Sequence, residues 1–113
     1  WIAEAFENIV KNAVEHTKMG STVEITVEDQ IKDICITIFD QGNGIPNDRI
    51  GSIFDRFSRF DNKKRGYGIG LSMAKDIIQA HHGSIRMENR RDIDSGAAIT
   101  IVLPVLDSEN TYK

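Results

Sequence analysis

The segment ICITIFDQGNGIP at residues 34–46 joins an apolar run to a turn of small and polar residues. Residues 34–39 are apolar on nearly both faces of an extended chain, which predicts a strand in the centre of a sheet. The residues from Asp40 to Pro46 are of types that favour turns. The segment therefore predicts a central strand that ends in a carboxylate and a glycine-containing turn.

Two further elements are predicted before this strand. Apolar residues at three- and four-residue steps predict an amphipathic helix over residues 2–16. Residues 23–28 alternate between apolar and polar side chains, which predicts a half-buried strand. Gly20 and Ser21 separate the two elements.

Three more elements are predicted after the turn. A helical period returns at Leu71 and ends at Gly83, and two strands follow at residues 85–88 and 98–103, before Pro104. This order predicts an α/β (α+β) two-layer sandwich, in which a mixed, mostly antiparallel sheet packs on helices. A doubly wound fold requires strict alternation of strands and helices, which this chain lacks.

Length and composition predict one globular domain over residues 1–106 and a polar tail over residues 107–113. The chain has 113 residues, of which 40% are hydrophobic and 27% charged. A single cysteine, Cys35, excludes an internal disulfide framework and a multi-cysteine zinc site. No apolar run is long enough for a membrane-spanning helix, and no signal peptide is visible. The net charge of −3 argues against nonspecific nucleic-acid binding.

Two asparagines form a polar stripe on the first predicted helix. Asn8 and Asn12 are four residues apart, so their side chains lie one turn above each other. Asparagine is unfavourable inside a helix, so two on one stripe suggest a ligand. An amide oxygen suits Mg²⁺ that already carries phosphate oxygens. A solvated helix face is the alternative interpretation.

The turn after the central strand is a candidate site for a flat ring. The Asp40 carboxylate could accept a hydrogen bond from an exocyclic amine, such as that of adenine. Gly42 and Gly44 would let the backbone approach the ring closely. A plain β-turn cluster is the alternative.

A second glycine segment opens the second long helix. Gly66, Gly68 and Gly70 precede Leu71 and Ser72, and glycines before a helix N-terminus expose amides that can bind phosphate. The spacing matches neither a dinucleotide fingerprint nor a Walker loop. A flexible linker is the alternative.

Between the two glycine segments, Phe54, Phe57 and Phe60 are spaced by three residues and predict an apolar stripe on a short helix. Core packing is the alternative. Five cations accompany the rings and could compensate triphosphate charge, although a solvated loop explains them equally: Arg56, Arg59, Lys63, Lys64 and Arg65.

Taken in order, the four segments resemble the conserved boxes of the catalytic, ATP-binding domain of bacterial two-component sensor histidine kinases. The matching residues are Asn8, Asn12 and Ala13; Asp40, Gly42, Gly44 and Ile45; Ile53, Phe54 and Phe57; and Gly66, Gly68, Gly70, Leu71 and Ser72. Gly96 and residues 99–104 resemble the closing glycine and final strand of that domain. The resemblance covers residues 2–104.

The resemblance implies a Bergerat-type sandwich with ATP between the helices and a mobile lid. It implies that Asn12 ligates Mg²⁺ with support from Asn8, and that Asp40 accepts from the adenine amine. The residues assigned to ATP binding are Asn8, Asn12, Asp40, Gly42, Gly44, Ile45, Phe54, Phe57, Lys63, Lys64, Arg65, Gly66, Gly68, Gly70, Leu71, Ser72 and Thr100; those assigned to catalysis are Asn8, Asn12 and Arg59.

One position separates the branches of this superfamily. Relatives that hydrolyse ATP, and anti-sigma-factor kinases, have a glutamate as general base four residues before the Mg²⁺ asparagine. Here that position is Asn8, and the adjacent Glu7 is turned by about 100° around the helix. Glu15 replaces a basic residue that histidine kinases often have. A hydrolytic ATPase, a serine kinase, a non-catalytic nucleotide-binding module and a purely structural domain remain alternatives.

The resemblance also implies partners. In the intact protein the domain would transfer the γ-phosphoryl group of Mg-ATP to a histidine on the dimerisation domain, for relay to a response regulator. We expect a monomeric, N-terminally truncated fragment that contacts neither nucleic acid nor membrane. It would be the cytoplasmic domain of a membrane-anchored bacterial sensor kinase.

Overall fold

A computed structural model describes residues 1–54 and 70–105. The helices and strands are α1 (Ile2–His16), β1 (Glu24–Asp29), β2 (Asp33–Phe39), α2 (Leu71–Ala80), β3 (Ser84–Asn89) and β4 (Ala97–Pro104). A short 3₁₀ turn, Ile50–Ser52, was not predicted. All six predicted helices and strands are confirmed, with strand ends one residue from the predicted bounds. Within the described ranges, neither helix is long and apolar enough to cross a membrane.

The four described strands form one sheet in the order β1-β2-β4-β3. The predicted central strand is confirmed, because β2 pairs with both β1 and β4. Every pair among the described strands is antiparallel, so the parallel part of the predicted mixed sheet is not found there.

The core lies between the sheet and the two helices, which confirms the two-layer α/β sandwich. α1 packs beside α2, and both helices lie on the same face of the sheet. The side chains that close this layer are between 0 and 2% exposed; they include Ile9, Ile38, Ile78 and Ile101. Isoleucines at positions 36, 38, 99 and 101 point to the helices from the two central strands.

The predicted half-burial of the first strand is wrong. All six residues of β1 are exposed, and the apolar Ile25 and Val27 are 50% and 66% exposed. The register places both on the same face as Ile36 and Ile38. β1 lies at the sheet edge, and in the described part of the chain α1 contacts β2 whereas α2 contacts β3, so neither helix covers the edge.

Candidate functional site

Asp40 lies at the junction of β2 and β4, directly after the last residue of β2. Its side chain is buried, and Oδ1 accepts hydrogen bonds from the backbone N–H groups of Gly42 and Ala97, each at 2.9 Å. Gln41 N–H donates to Thr17 Oγ1 at 2.8 Å, which ties the loop to the end of α1. These bonds fix the carboxylate and leave Oδ2 without a hydrogen bond from the described residues.

The loop 40–45 has two positions that require glycine. A Cβ atom on Gly42 would collide with the backbone carbonyl of His16, at the end of α1. Gly44 has a φ of +81°, which side chains rarely adopt, and a Cβ there would lie 2.7 Å from Asn89 Oδ1. The glycines therefore let the loop pack closely against its neighbours.

The far end of the loop is held by Asn89, the last residue of β3. Its Oδ1 accepts the Ile45 N–H at 2.6 Å, and its Nδ2 donates to the Ile45 carbonyl at 2.8 Å. One side chain thus satisfies both backbone groups of a loop residue, as a partner strand would.

The neighbouring Arg90 holds the start of the loop. Its side chain is 7% exposed, and Nη1 donates to the Asp40 carbonyl at 3.2 Å. Asp92 accepts from Arg90 Nη2 at 2.7 Å and from Nε at 3.0 Å, and the guanidinium carbon lies 4.9 Å from the Phe39 ring centroid. The hydrogen bond to Asp92 raises the pKa of Arg90, and the same bond lowers the pKa of the Asp92 carboxyl.

Sequence reasoning did not identify Asn89 or Arg90 as site residues. Polar residues after a strand indicate a turn and do not reveal a partner. Asn89 and Ile45 are 44 residues apart, so only the fold brings them together.

The two asparagines of α1 differ in their surroundings. Asn12 is 2% exposed, and neither its Oδ1 nor its Nδ2 has a hydrogen-bond partner among the described residues. Asn8 is half-buried, and its Nδ2 lies 4.0 Å from the sulfur of Met73 in the first turn of α2. A buried amide without partners costs about 1–3 kcal/mol. The solvated-face alternative is therefore wrong for Asn12.

The beginning of α2 contains the described end of the second glycine segment. Gly70 is the N-cap, and Leu71 and Ser72 are buried. The remaining candidates of the second glycine segment and of the cationic run lie outside the described residues: Arg56, Arg59, Lys63, Lys64, Arg65, Gly66 and Gly68.

The described part of the phenylalanine stripe is its first ring. Phe54 packs against the core, and the Lys75 ammonium of α2 lies 5.7 Å from the ring centroid. Phe57, Phe60 and the predicted lid lie outside the described residues.

Thr100 is not brought together with the other candidates. Its strand neighbours Ile99 and Ile101 face the helices, and side chains alternate across a strand, so Thr100 faces the opposite side of the sheet. There it lines an open cavity of about 390 Å³ with Thr37, Phe39 and other residues. Its assignment to the site with Asp40 is corrected accordingly.

Residues 1–107 match the family model described as histidine kinase-, DNA gyrase B- and HSP90-like ATPase. Over 102 aligned residues the chain is 39% identical to the sensor protein KdpD of Clostridium acetobutylicum. The aligned region covers 87% of this chain and 11% of that protein. The chain spans between 11 and 27% of the length of such curated relatives.

Solved structures of sensor histidine kinases have a similar fold. The mycobacterial sensor histidine kinase MprB superposes with a TM-score of 0.79 at 30% identity, over 89% of this chain and 70% of that one. The catalytic domain of the histidine kinase ThkA gives a TM-score of 0.77 at 33% identity, over 91% of this chain and 65% of that one.

Proposed function

The chain belongs to the family of histidine kinase-, DNA gyrase B- and HSP90-like ATPases, and from that premise we propose that it binds Mg-ATP and supplies the γ-phosphoryl group for transfer to a histidine. Its relatives include sensor histidine kinases, and its fold is that of their catalytic domain. The chain spans a small part of those proteins, and in the proposal the phosphoryl group goes to a phosphoacceptor domain of the intact protein.

The buried carboxylate of Asp40 carries the proposal. Its Oδ1 already accepts two backbone N–H groups, so the carboxylate cannot rotate freely. Oδ2 remains as an acceptor for one donor, and the exocyclic amine of adenine is such a donor. Gly42 and Gly44 let the loop pack against His16 and Asn89, which holds the backbone beside the carboxylate in place. A base with a carbonyl in place of the amine would instead meet a negatively charged acceptor.

The residues of the asparagine stripe fit Mg²⁺ bound together with phosphate. Asn12 is buried, and within residues 1–54 and 70–105 both of its amide atoms are unpartnered, so its Oδ1 could ligate the ion without breaking a bond to those residues. Asn8, one turn away on the same stripe, would support the ion or a phosphate oxygen. When bound, Mg²⁺ neutralises charge on the phosphate oxygens. The amides at the start of α2, near Gly70 and Leu71, would donate to the phosphates.

The chemistry of α1 favours transfer to an external acceptor over hydrolysis. The position four residues before Asn12 is Asn8, whose carboxamide cannot take a proton from water. Glu7 and Glu15 on the same helix are both exposed. We therefore propose that the acceptor is a histidine on the dimerisation domain of the intact protein, and that a response regulator receives the phosphoryl group next. We also propose that the chain is a cytoplasmic part of a membrane-anchored sensor kinase. By itself the 113-residue chain would be a monomer.

The test is a calorimetric titration of the chain with ADP and with a non-hydrolysable ATP analogue, each with and without Mg²⁺. Asp40→Asn retains an Oδ1 acceptor for Gly42 and Ala97 but replaces Oδ2 with an amide donor. Since a hydrogen bond to a charged group contributes about 1.5–3 kcal/mol, we expect Kd for ADP to rise at least tenfold.

Asp48→Asn is the matched control, because Asp48 is exposed and lies beyond the loop. It should leave Kd unchanged. Absence of ADP binding by the folded wild-type chain, or equal affinity in Asp40→Asn, would contradict the proposal.

A further inference from the structure

We infer that Asn89 is a positioning residue for nucleotide binding, which acts by holding the backbone of Ile45 and thereby the loop 40–45. The inference rests on the proposed function, because it assigns to that loop the contact with the nucleotide base. Asn89 itself lies at the end of β3 and is not among the residues that were matched to the boxes of the family.

The hydrogen bonds of Asn89 close the loop at its far end. The bonds to the Ile45 N–H and carbonyl are 2.6 and 2.8 Å long, and Ile45 is 4% exposed. A Cβ atom on Gly44 would lie only 2.7 Å from Asn89 Oδ1, so the amide of Asn89 packs directly against the backbone of the loop. Nothing else among the described residues donates to or accepts from the Ile45 backbone.

The other end of the loop is attached to the same strand end. Arg90 follows Asn89 directly, and its guanidinium donates to the Asp40 carbonyl. Asn89 also pairs across the sheet with Ala97, whose N–H donates to Asp40 Oδ1. The end of β3 therefore fixes both ends of the loop relative to the buried carboxylate.

This arrangement predicts a specific effect on binding. When the Ile45 backbone is released, Gly44 gains freedom, because glycine adopts many conformations. The loop must then be ordered again when a base binds, and ordering a free segment weakens affinity. The loss should concern the base end of the nucleotide, since Asn12 and the start of α2 do not depend on Asn89.

The experiment measures ADP affinity by calorimetry and amide hydrogen exchange at Ile45 for the wild-type chain and two variants. Asn89→Ala removes both hydrogen bonds, and we expect Kd to rise about tenfold with faster exchange at Ile45. Asn89→Asp retains the acceptor for the Ile45 N–H but places a carboxylate oxygen against the Ile45 carbonyl, so its Kd should rise as well. If Asn89→Ala does not fold, the Asp variant alone decides.

A matched control separates positioning from general stability. Ile101→Val removes one buried methyl group from β4, four residues along the strand from Ala97. This variant lowers stability but should bind ADP with wild-type affinity. A second control uses Mg-tripolyphosphate, a phosphate probe without a base, which Asn89→Ala should bind as tightly as the wild-type chain does.

Two outcomes would overturn the inference, and they are distinguishable. If the wild-type chain binds ADP and Asn89→Ala binds it within twofold, Asn89 is only structural and the proposed function stands. If the folded wild-type chain does not bind ADP, the proposed function fails and the inference fails with it.

Discussion

Asn12 and Asp40 are both buried polar side chains, but their hydrogen bonding differs. Asp40 accepts two backbone N–H groups, whereas neither amide atom of Asn12 has a partner in the part of the chain that the structure describes. A buried polar group without a partner reduces stability, and residues with that property are often retained for binding. The proposed Mg²⁺ contact gives Asn12 a reason to be asparagine that folding alone does not.

Asn12→Ala should therefore stabilise the chain without nucleotide. The change removes the unpartnered amide and places a strong helix former in α1, so we expect the free energy of unfolding to rise by about 0.5–1 kcal/mol. The Mg²⁺-dependent part of ADP binding should disappear in the same variant. Urea unfolding and calorimetry check the two effects.

Asn8→Ala is the comparison, because Asn8 is only half-buried and should give a smaller gain in stability. A loss of stability in Asn12→Ala would mean that the amide has a structural role, and would argue against a site for Mg²⁺.

At the scale of elements, the end of α2 shows how the helix is stopped. The N–H of Gly83 bonds to the Ile78 carbonyl and that of His82 to the Gln79 carbonyl, each at 2.9 Å, which is the Schellman pattern. The residue in the left-handed position of this motif is His82, with a φ of 65°, where glycine is usual. The strained backbone conformation therefore lies at His82, one residue before Gly83, which the sequence predicted as the end of the helix.

His82→Gly should relieve that strain. We expect the free energy of unfolding to rise by about 0.5–1 kcal/mol, because a non-glycine residue is disfavoured at this φ. Thermal or urea unfolding measures the change.

His81→Gly is the matched control on the preceding residue. His81 has a φ of −95°, and its Nδ1 lies 2.8 Å from the Ile77 carbonyl, so glycine there should destabilise the chain. Stabilisation by both glycines, or by neither, would contradict the assignment of strain to His82.

For the molecule as a whole, the candidate site is assembled from both layers. α1 supplies the asparagine stripe, the loop after β2 supplies Asp40, and the end of β3 holds that loop. A ligand that contacts these elements together binds the folded chain and not the unfolded one, so it must raise the stability of the whole domain.

At one hundred times its Kd, ADP should add about 2.7 kcal/mol to the free energy of unfolding. For a domain of this size that corresponds to an increase in Tm of roughly 10 °C or more. Differential scanning calorimetry with and without ADP and Mg²⁺ gives the shift directly. At the same ADP concentration Asp40→Asn should show a smaller shift, and an unchanged Tm in the wild-type chain would count against a nucleotide site.

The sequence by itself determined the elements and the residue types of the site. The period of apolar residues along α1, β2 and α2 is a local property, and it survives in the folded chain because each helix or strand has to bury that face. Asn12 was singled out because asparagine is unfavourable inside a helix, and Asp40 and Gly42 because they directly follow the predicted central strand. The alternation of residues 99–101 also contained the information that Thr100 faces away from the helices.

The tertiary structure alone decided which faces are covered and which partners meet. β1 alternates as a half-buried strand does, yet Ile25 and Val27 are exposed, because β1 lies at an edge of the sheet that the described residues leave open. Asn12 is buried, although a helix face that carries two asparagines could equally be solvated. The attachment of Ile45 to Asn89 joins residues 44 positions apart. Burial and pairing between distant segments depend on how helices and strands pack together, and the local periodicity of the sequence does not predict that packing.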